Sequence, residues 1–359
     1  MPERHFASDN NAGAHPAVLA ALGAVNEGHV PAYGDDEHTA RAKERFRELL
    51  GDDARVFFAF NGTGANVIAL ASALRPYQAV IAPAGAHLNV DECAAFERFA
   101  GAKIVDVAVD DGKLTPELVR AHVRGIGDQH HVQPAAISIS QSTEVGTVYT
   151  VEELRALGGV ARELGLFFHV DGARIANAVA SLGVDARTML LDTGVDACTF
   201  GGTKNGMLFG EAVVFPRDHA AVDAVPFTRK QGMQLTSKMR FVAAQFDALL
   251  RDGLWLRNAA HANAMARLLA ERVRDVVQMA YPVQANGVFP ILPPHAVEPL
   301  QRERTFYMWD TERSVARWMT AWDTTPDDVH TFAAAVRRIV SAEARTFDAV
   351  TMSASKGAR

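Results

Sequence analysis

A chain of 359 residues with 48% hydrophobic and 22% charged side chains can bury a large core, and at about 100–200 residues per domain it predicts two domains. A formal net charge of −6 excludes a general electrostatic pull toward nucleic acid or anionic membrane, and no apolar run approaches the roughly 20 residues that span a bilayer. With only Cys93 and Cys198, no CxxC pair and a polar N-terminus lacking a secretory apolar segment, the sequence predicts a protein of the reducing cytoplasm without a disulfide framework or cysteine zinc site.

In chain order, Val56–Phe60 reads as a buried strand that stops at Asn61-Gly62-Thr63-Gly64, followed by an Ala-rich helix over Ala65–Leu74. Ala79–Ala82 and Lys103–Val107 read as strands with a helix over Val90–Ala100 between them, and Thr115-Pro116-Glu117 opens a helix with Thr as N-cap. Ala135–Ser140 is a strand, and Thr150-Val151-Glu152-Glu153 fits a capping box heading a helix that ends near Gly165. Leu166–Val170 is almost wholly apolar, as a strand covered on both faces must be, and ends at Asp171. Asp196–Phe200 and Glu211–Phe215 read as two further strands flanking Gly201–Gly210. This alternation of strands and helices predicts a parallel sheet wrapped by helices. Beyond about Ala220 the texture changes. A helical stretch covers roughly Leu235–Ala280, short strands lie near Val288-Phe289 and Thr305–Met308, and a closing helix runs over about Pro326–Val350. The expected organisation is an N-terminal arm over 1–15, a large domain over 16–245, a small α+β domain over 246–351 and a disordered tail over 352–359.

Open α/β sheets place ligands beyond the carboxyl ends of their strands, and three such ends carry chemistry here. Asn61-Gly62-Thr63-Gly64 presents helix N-terminal N–H groups and a hydroxyl that suit a phosphate, or it is an ordinary strand-to-helix turn. No GK[ST] loop and no GxGxxG fingerprint supports a nucleotide. Asp171 leaves a buried strand and needs a partner: either Arg174 or the protonated ring nitrogen of pyridoxal phosphate. Lys204, between Gly202 and Gly206 in an apolar neighbourhood, is either a surface-turn lysine or an amine whose burial frees it for a Schiff base. Together the three form the constellation a pyridoxal phosphate enzyme needs. His130-His131 lies in a polar linker and reads as solvated loop, so no metal site is assigned.

On these residues the chain resembles the threonine aldolase family, in its bacterial low-specificity L-threonine aldolase and phenylserine aldolase branch. The matching pieces are Ser8-Asp9-Asn10, Tyr33-Gly34-Asp35-Asp36, Asn61–Asn66, Ala86-His87, His169-Val170-Asp171-Gly172-Ala173-Arg174 and Gly202-Thr203-Lys204, in family order. The resemblance implies an α/β, fold type I pyridoxal phosphate enzyme: a large, mainly parallel α/β/α sheet domain and a smaller α+β C-terminal domain. It implies a covalent aldimine of pyridoxal 5'-phosphate at Lys204, with Asp171 on the pyridine nitrogen, Gly62 and Thr63 on the phosphate and Arg174 beside the ring. His87 would stack on the ring and help deprotonate the substrate hydroxyl. Ser8 and Arg317 would grip the substrate carboxylate. Lys230, with Arg229 beside it, would reach the phosphate of a neighbouring subunit, and Tyr33 would cross the same way.

The implied activity is cleavage of L-threonine, L-allo-threonine or phenylserine to glycine and an aldehyde by a homodimer or homotetramer with shared sites. A β-eliminating lyase on the same fold, or a non-catalytic protein that kept the fold, are the alternatives. One departure stands out. Relatives carry a histidine where this chain reads Gln141-Ser142-Thr143-Glu144, which leaves Thr143 or Glu144 to take its place.

Overall fold

Seven strands build the principal sheet: β1 (Arg55–Ala59), β2 (Gln78–Pro83), β3 (Lys103–Val107), β4 (Gln133–Ser140), β5 (Phe167–Gly172), β6 (Ala197–Gly201) and β7 (Glu211–Phe215), in the order β1-β7-β6-β5-β4-β2-β3. This is a computed structural model, and it describes residues 3–341. Strands β2 to β6 run parallel, whereas β7 is antiparallel to both β6 and β1. It follows that β1 points the same way as β6. The carboxyl ends of β1, β2, β4, β5 and β6 and the amino end of β7 therefore share one edge of the sheet. Every residue of β5 is buried, which accounts for its nearly apolar run, broken only by His169 before Asp171.

The helix starts follow their local signals. Thr150 accepts the Glu153 N–H at 3.2 Å while the Glu153 carboxylate accepts the Thr150 N–H at 2.7 Å, closing the expected capping box on the Val151–Leu164 helix. Thr115 caps Pro116–His122 through the Leu118 N–H.

Two expected helices are interrupted. The stretch at 90–100 resolves into His87–Val90 and Ala95–Ala100, separated where Cys93 and Ala94 adopt φ of 52° and 55°. The long stretch from 235 resolves into Met239–Leu250 and Leu254–Val273, broken where Asp252 (φ 53°) and Gly253 (φ 68°) leave helical geometry. Apolar periodicity continues across both breaks, so hydrophobic pattern alone cannot reveal them.

The described residues form two compact units, one over Gly13–Ala259 and one made of residues 3–12 with 260–341. The division falls later than the 245/246 boundary expected from composition because the Met239–Leu250 helix packs on Glu37–Leu50: Phe246 meets Phe46 at 5.4 Å, and Asp247 accepts from Arg41 and Arg45. The first residues join the second unit, where Phe6 stacks on Phe332 at 4.7 Å and its carbonyl accepts the Met319 N–H. That unit carries an antiparallel sheet of β8 (Gln278–Met279), β9 (Gly287–Val288), β10 (Pro290–Ile291), β11 (Tyr307–Asp310) and β12 (Val315–Met319). Its core gathers Phe6, Leu269, Phe306, Trp318 and Phe332. The closing helix is described over Pro326–Val340, and the expected tail lies outside the described residues. Among the described residues no helix is long and apolar enough to cross a membrane.

Candidate active site

The edge shared by the strand ends holds a cleft lined by Gly62, Asn66, His87, Glu92, Ser140, Ser142, Glu144, Asp171, Ala173, Arg174 and Lys204. Five separate sequence segments, at the ends of β1, β2, β4, β5 and β6, meet here because those strands point the same way. The approach is close. A Cβ on Gly201 would lie 2.2 Å from the Ala173 carbonyl oxygen, so only glycine lets the end of β6 pass against the segment after Asp171. The chain then turns through Thr203–Asn205, bringing Lys204 into the cleft. Asn205 anchors the turn: its amide donates to the Trp255 carbonyl at 2.9 Å, and its own carbonyl accepts from Asn258 at 2.8 Å.

Asp171 is buried at the end of β5. Burial by itself would raise its carboxyl. The Ala173 N–H at 3.0 Å, the Asn66 amide at 2.9 Å and the charge of Lys204 outweigh that, and hold it below the ordinary carboxylate value. Asn66 donates from the same nitrogen to Glu92 Oε1 at 2.9 Å, and His87 Nδ1 lies 2.9 Å from that same oxygen. His87, Glu92 and Asp171 bring their polar atoms within 4.8 Å of one another, a spacing these hydrogen bonds account for. The Glu92 bond raises the His87 ring above its ordinary value against the opposing effect of burial.

Of the two candidates left open after β4, Glu144 lies in the cleft and Thr143 does not face it. Glu144 Oε1 accepts the His87 N–H at 2.9 Å and the Ser140 hydroxyl at 2.5 Å, and burial raises its carboxyl. Thr143 is buried in its own turn, with its hydroxyl 2.7 Å from that of Thr147.

The turn after β1 starts the Gly62–Ala73 helix. Asn61 Oδ1 takes the Gly64 N–H at 2.8 Å, while the N–H groups of Gly62 and Thr63, in the first turn, have no intrahelical acceptor. Gly64 meets a need that the motif does not disclose. Gln234 takes the Phe60 N–H at 2.9 Å and lays its amide where a Gly64 Cβ would stand, 2.3 Å from the nearest atom. Nearby, Arg229 donates to the Phe58 carbonyl at 3.2 Å, and Lys230 Nζ sits 5.3 Å from the centre of the Tyr33 ring of its own chain. Ser8 and Arg317 belong to the second unit. Ser8 caps the turn Asp9–Asn11 through the Asn10 N–H, and Arg317, on β12, donates to the carbonyl of Ala7 at 3.4 Å with its guanidinium over Tyr307 and Trp309.

The donor set fits pyridoxal phosphate. It offers helix N-terminal N–H groups for an anion, a carboxylate held ionised for a ring cation, and an amine on a constrained turn. Among the described residues Glu92 Oε2 and the Ser142 hydroxyl, both buried at this cleft, have no hydrogen-bond partner, as polar groups that serve a polar ligand would. Glu92, Thr199, Glu211 and Gln234 carry no sequence motif of their own; a buried-network role emerges only from contacts across the fold.

The architecture is that of the fold type I group, a large α/β sheet unit with a smaller second unit. The profile of the beta-eliminating lyase family matches residues 5–292. Low specificity L-threonine aldolases of Pseudomonas aeruginosa and of a Pseudomonas species are 46% and 44% identical, each over 94% of this chain and 99% of the relative. The solved threonine aldolase of Leishmania major superposes with a TM-score of 0.89 at 33% identity, over 94% of this chain and 100% of that one. The chain belongs to the beta-eliminating lyase family and, within it, to the threonine aldolases, a group that depends on pyridoxal phosphate in general.

Proposed function

We propose that this chain is a pyridoxal phosphate-dependent aldolase that cleaves L-threonine and related L-3-hydroxy-α-amino acids, L-allo-threonine and phenylserine among them, to glycine and an aldehyde. The observation that carries this reading is the meeting of Lys204, an ionised Asp171 and His87 in one cleft of a threonine aldolase fold. Bound pyridoxal phosphate supplies the electron sink into which the Cα–Cβ bonding pair moves. Lys204 holds the cofactor by its amine, Asp171 meets the ring nitrogen, Arg174 lies beside the ring, and Gly62 and Thr63 direct N–H groups at the phosphate. His87 covers the ring face and takes the β-hydroxyl proton directly or through water. Ser8 and Arg317 grip the substrate carboxylate, which sets the scissile bond upright to the ring. Lys230 and Tyr33 act at the cofactor of a neighbouring subunit in a homodimer or homotetramer, and the protein works in the cytoplasm.

The test is to incubate cofactor-loaded protein with L-threonine, L-allo-threonine and L-phenylserine and to quantify products. Glycine and aldehyde in equal amounts are expected, together with loss of both turnover and the visible absorbance of bound cofactor in Lys204→Ala. A 2-oxo acid with ammonia, 2-oxobutanoate from either threonine or phenylpyruvate from phenylserine, would instead identify a β-eliminating enzyme. Turnover that survives in Lys204→Ala removes the lysine from its role.

A further inference from the structure

The Asn66 side chain stands between the two sides of the cleft in a single determined orientation. Thr199 donates its hydroxyl proton to Asn66 Oδ1 at 2.7 Å. His169 Nε2 lies 3.4 Å from the same Thr199 oxygen, and His169 Nδ1 lies 2.9 Å from the Ser138 hydroxyl. Complete burial pushes the His169 ring down to about 4, so it is neutral at physiological pH and carries one proton. Because the Thr199 proton is committed to Asn66, that oxygen accepts from His169 Nε2–H, and Nδ1 accepts from Ser138. The amide is oriented by its two carboxylate neighbours: both hydrogens of Nδ2 face Asp171 Oδ2 and Glu92 Oε1, each at 2.9 Å, which leaves Oδ1 toward the Thr199 hydroxyl. A flipped amide would set its oxygen against two anions.

We propose that Glu92 is a positioning residue for His87: its buried carboxylate holds Nδ1, turns Nε2 toward the cleft, and joins the ring to Asp171 through the Asn66 amide. The side chain of Glu92 is fully buried while that of His87 is 41% exposed, so the carboxylate is the fixed member of the pair. The groups facing His87 are Glu92 on its own segment, Glu144 after β4, Asp171 and Arg174 after β5, and Lys204 after β6. When Nε2 takes the β-hydroxyl proton, the Nδ1 proton stays on the ring, bonded to Glu92 Oε1, and the new imidazolium returns its proton to solvent. The inference rests on the proton-accepting role proposed for His87, but its primary test does not depend on turnover.

That test follows the pH dependence of carbethoxylation of His87 by peptide mass spectrometry, in the full chain with and without pyridoxal phosphate. Only the neutral ring reacts, so the inflection reports its titration. In the parent chain the inflection should stand above 6.5, and in Glu92→Gln, which keeps the shape and removes the charge, it should fall by about one pH unit. In the loaded enzyme the acid limb of kcat should move with it, and kcat should drop roughly tenfold or more with little change in KM. Glu92→Gln placed on His87→Asn should add almost nothing. Thr199→Val, which reaches Glu92 only through Asn66, should lower the inflection in the same direction and serves if Glu92→Gln does not fold. An inflection at or below 6.5 in the parent, one unmoved by Glu92→Gln, or a full loss of rate that persists in the His87→Asn background would each overturn the proposal. A shifted inflection in a chain that releases no aldehyde would keep it and remove the aldolase reading instead.

Discussion

Glu211 opens β7 opposite Gly201, beside the turn that carries Lys204. Its carboxylate accepts the Gly202 N–H at 2.8 Å, and burial pushes its carboxyl up to about 7 despite that bond, the Thr203 hydroxyl and the charge of Lys204. The unfolded chain loses this proton near 4.5, the folded chain only near 7. Between those values the unfolded state binds fewer protons, so stability falls as pH rises through the window and levels off above it. Glu211→Gln keeps an acceptor for the Gly202 N–H and cannot ionise. Its melting temperature should exceed that of the parent at pH 8, with the advantage fading toward pH 4.5; a difference that does not vary with pH would show that Glu211 is ionised throughout. Residues of this kind mark where sequence reading stops. Asp171 is legible as a charged type at the end of an apolar strand, and Lys204 as a lysine between two glycines just beyond another. Asn66, Glu92 and Thr199 act only through one another, and the partners of Asn66 lie 26, 105 and 133 positions away.

Two adjacent glycines in the Val151–Leu164 helix separate propensity from packing. Gly159 is exposed, with nothing within 4 Å of the place a Cβ would take, whereas a Cβ on Gly158 would stand 1.9 Å from the Thr193 carbonyl oxygen. Alanine gains roughly 0.5–1 kcal/mol over glycine inside a helix, so Gly159→Ala should stabilise by about that amount in urea unfolding. At Gly158 the same gain is opposed by a clash with backbone, which cannot swing aside like a side-chain tip. Overpacking of this kind costs about 1–3 kcal/mol, so Gly158→Ala should destabilise; a stabilised variant would mean that the helix and the Thr193-Gly194 turn separate easily. The same contrast explains which elements the sequence discloses. Strands β1, β5, β6 and β7 show as apolar runs because both faces are covered. The Pro16–Ala24 helix has alanine and leucine spread round it and shows no clear buried stripe, whereas the Glu37–Leu50 helix, absent from the expected elements, does carry its signals: Asp36 as N-cap, Gly51 at its end, and Ala42, Phe46 and Leu50 on one buried face. Strand β12, which carries Arg317, is disclosed only by its partners β9, β10 and β11.

At the scale of the whole molecule, the Gly13–Ala259 unit leaves large apolar side chains uncovered around the glycine turn of the site. Phe227 is 72% exposed and Met233 86%, with Phe60, Leu208 and Tyr33 about half exposed. They form a connected surface: Phe60 meets Phe209 at 5.3 Å next to Leu208, the Gln234 beside Met233 binds the Phe60 backbone, and Lys230, one turn from Phe227, lies over Tyr33. Single exposed apolar residues are ordinary on a monomer, but several gathered around one turn are the kind of surface a partner covers. Its position argues for a second copy of the chain, because residues proposed to serve a neighbour's cofactor, Tyr33 and Lys230, stand within it. In sedimentation the parent should run as a dimer or larger, and the pair Phe227→Lys with Met233→Lys should shift it toward monomer, since bringing like charges together across a two-fold interface opposes closure. If Lys230 acts on a neighbour's cofactor as proposed, pyridoxal phosphate should bind more weakly to that monomer. A double variant that sediments as the parent does would place the interface elsewhere. A monomer with unchanged cofactor affinity would confine each site to one chain.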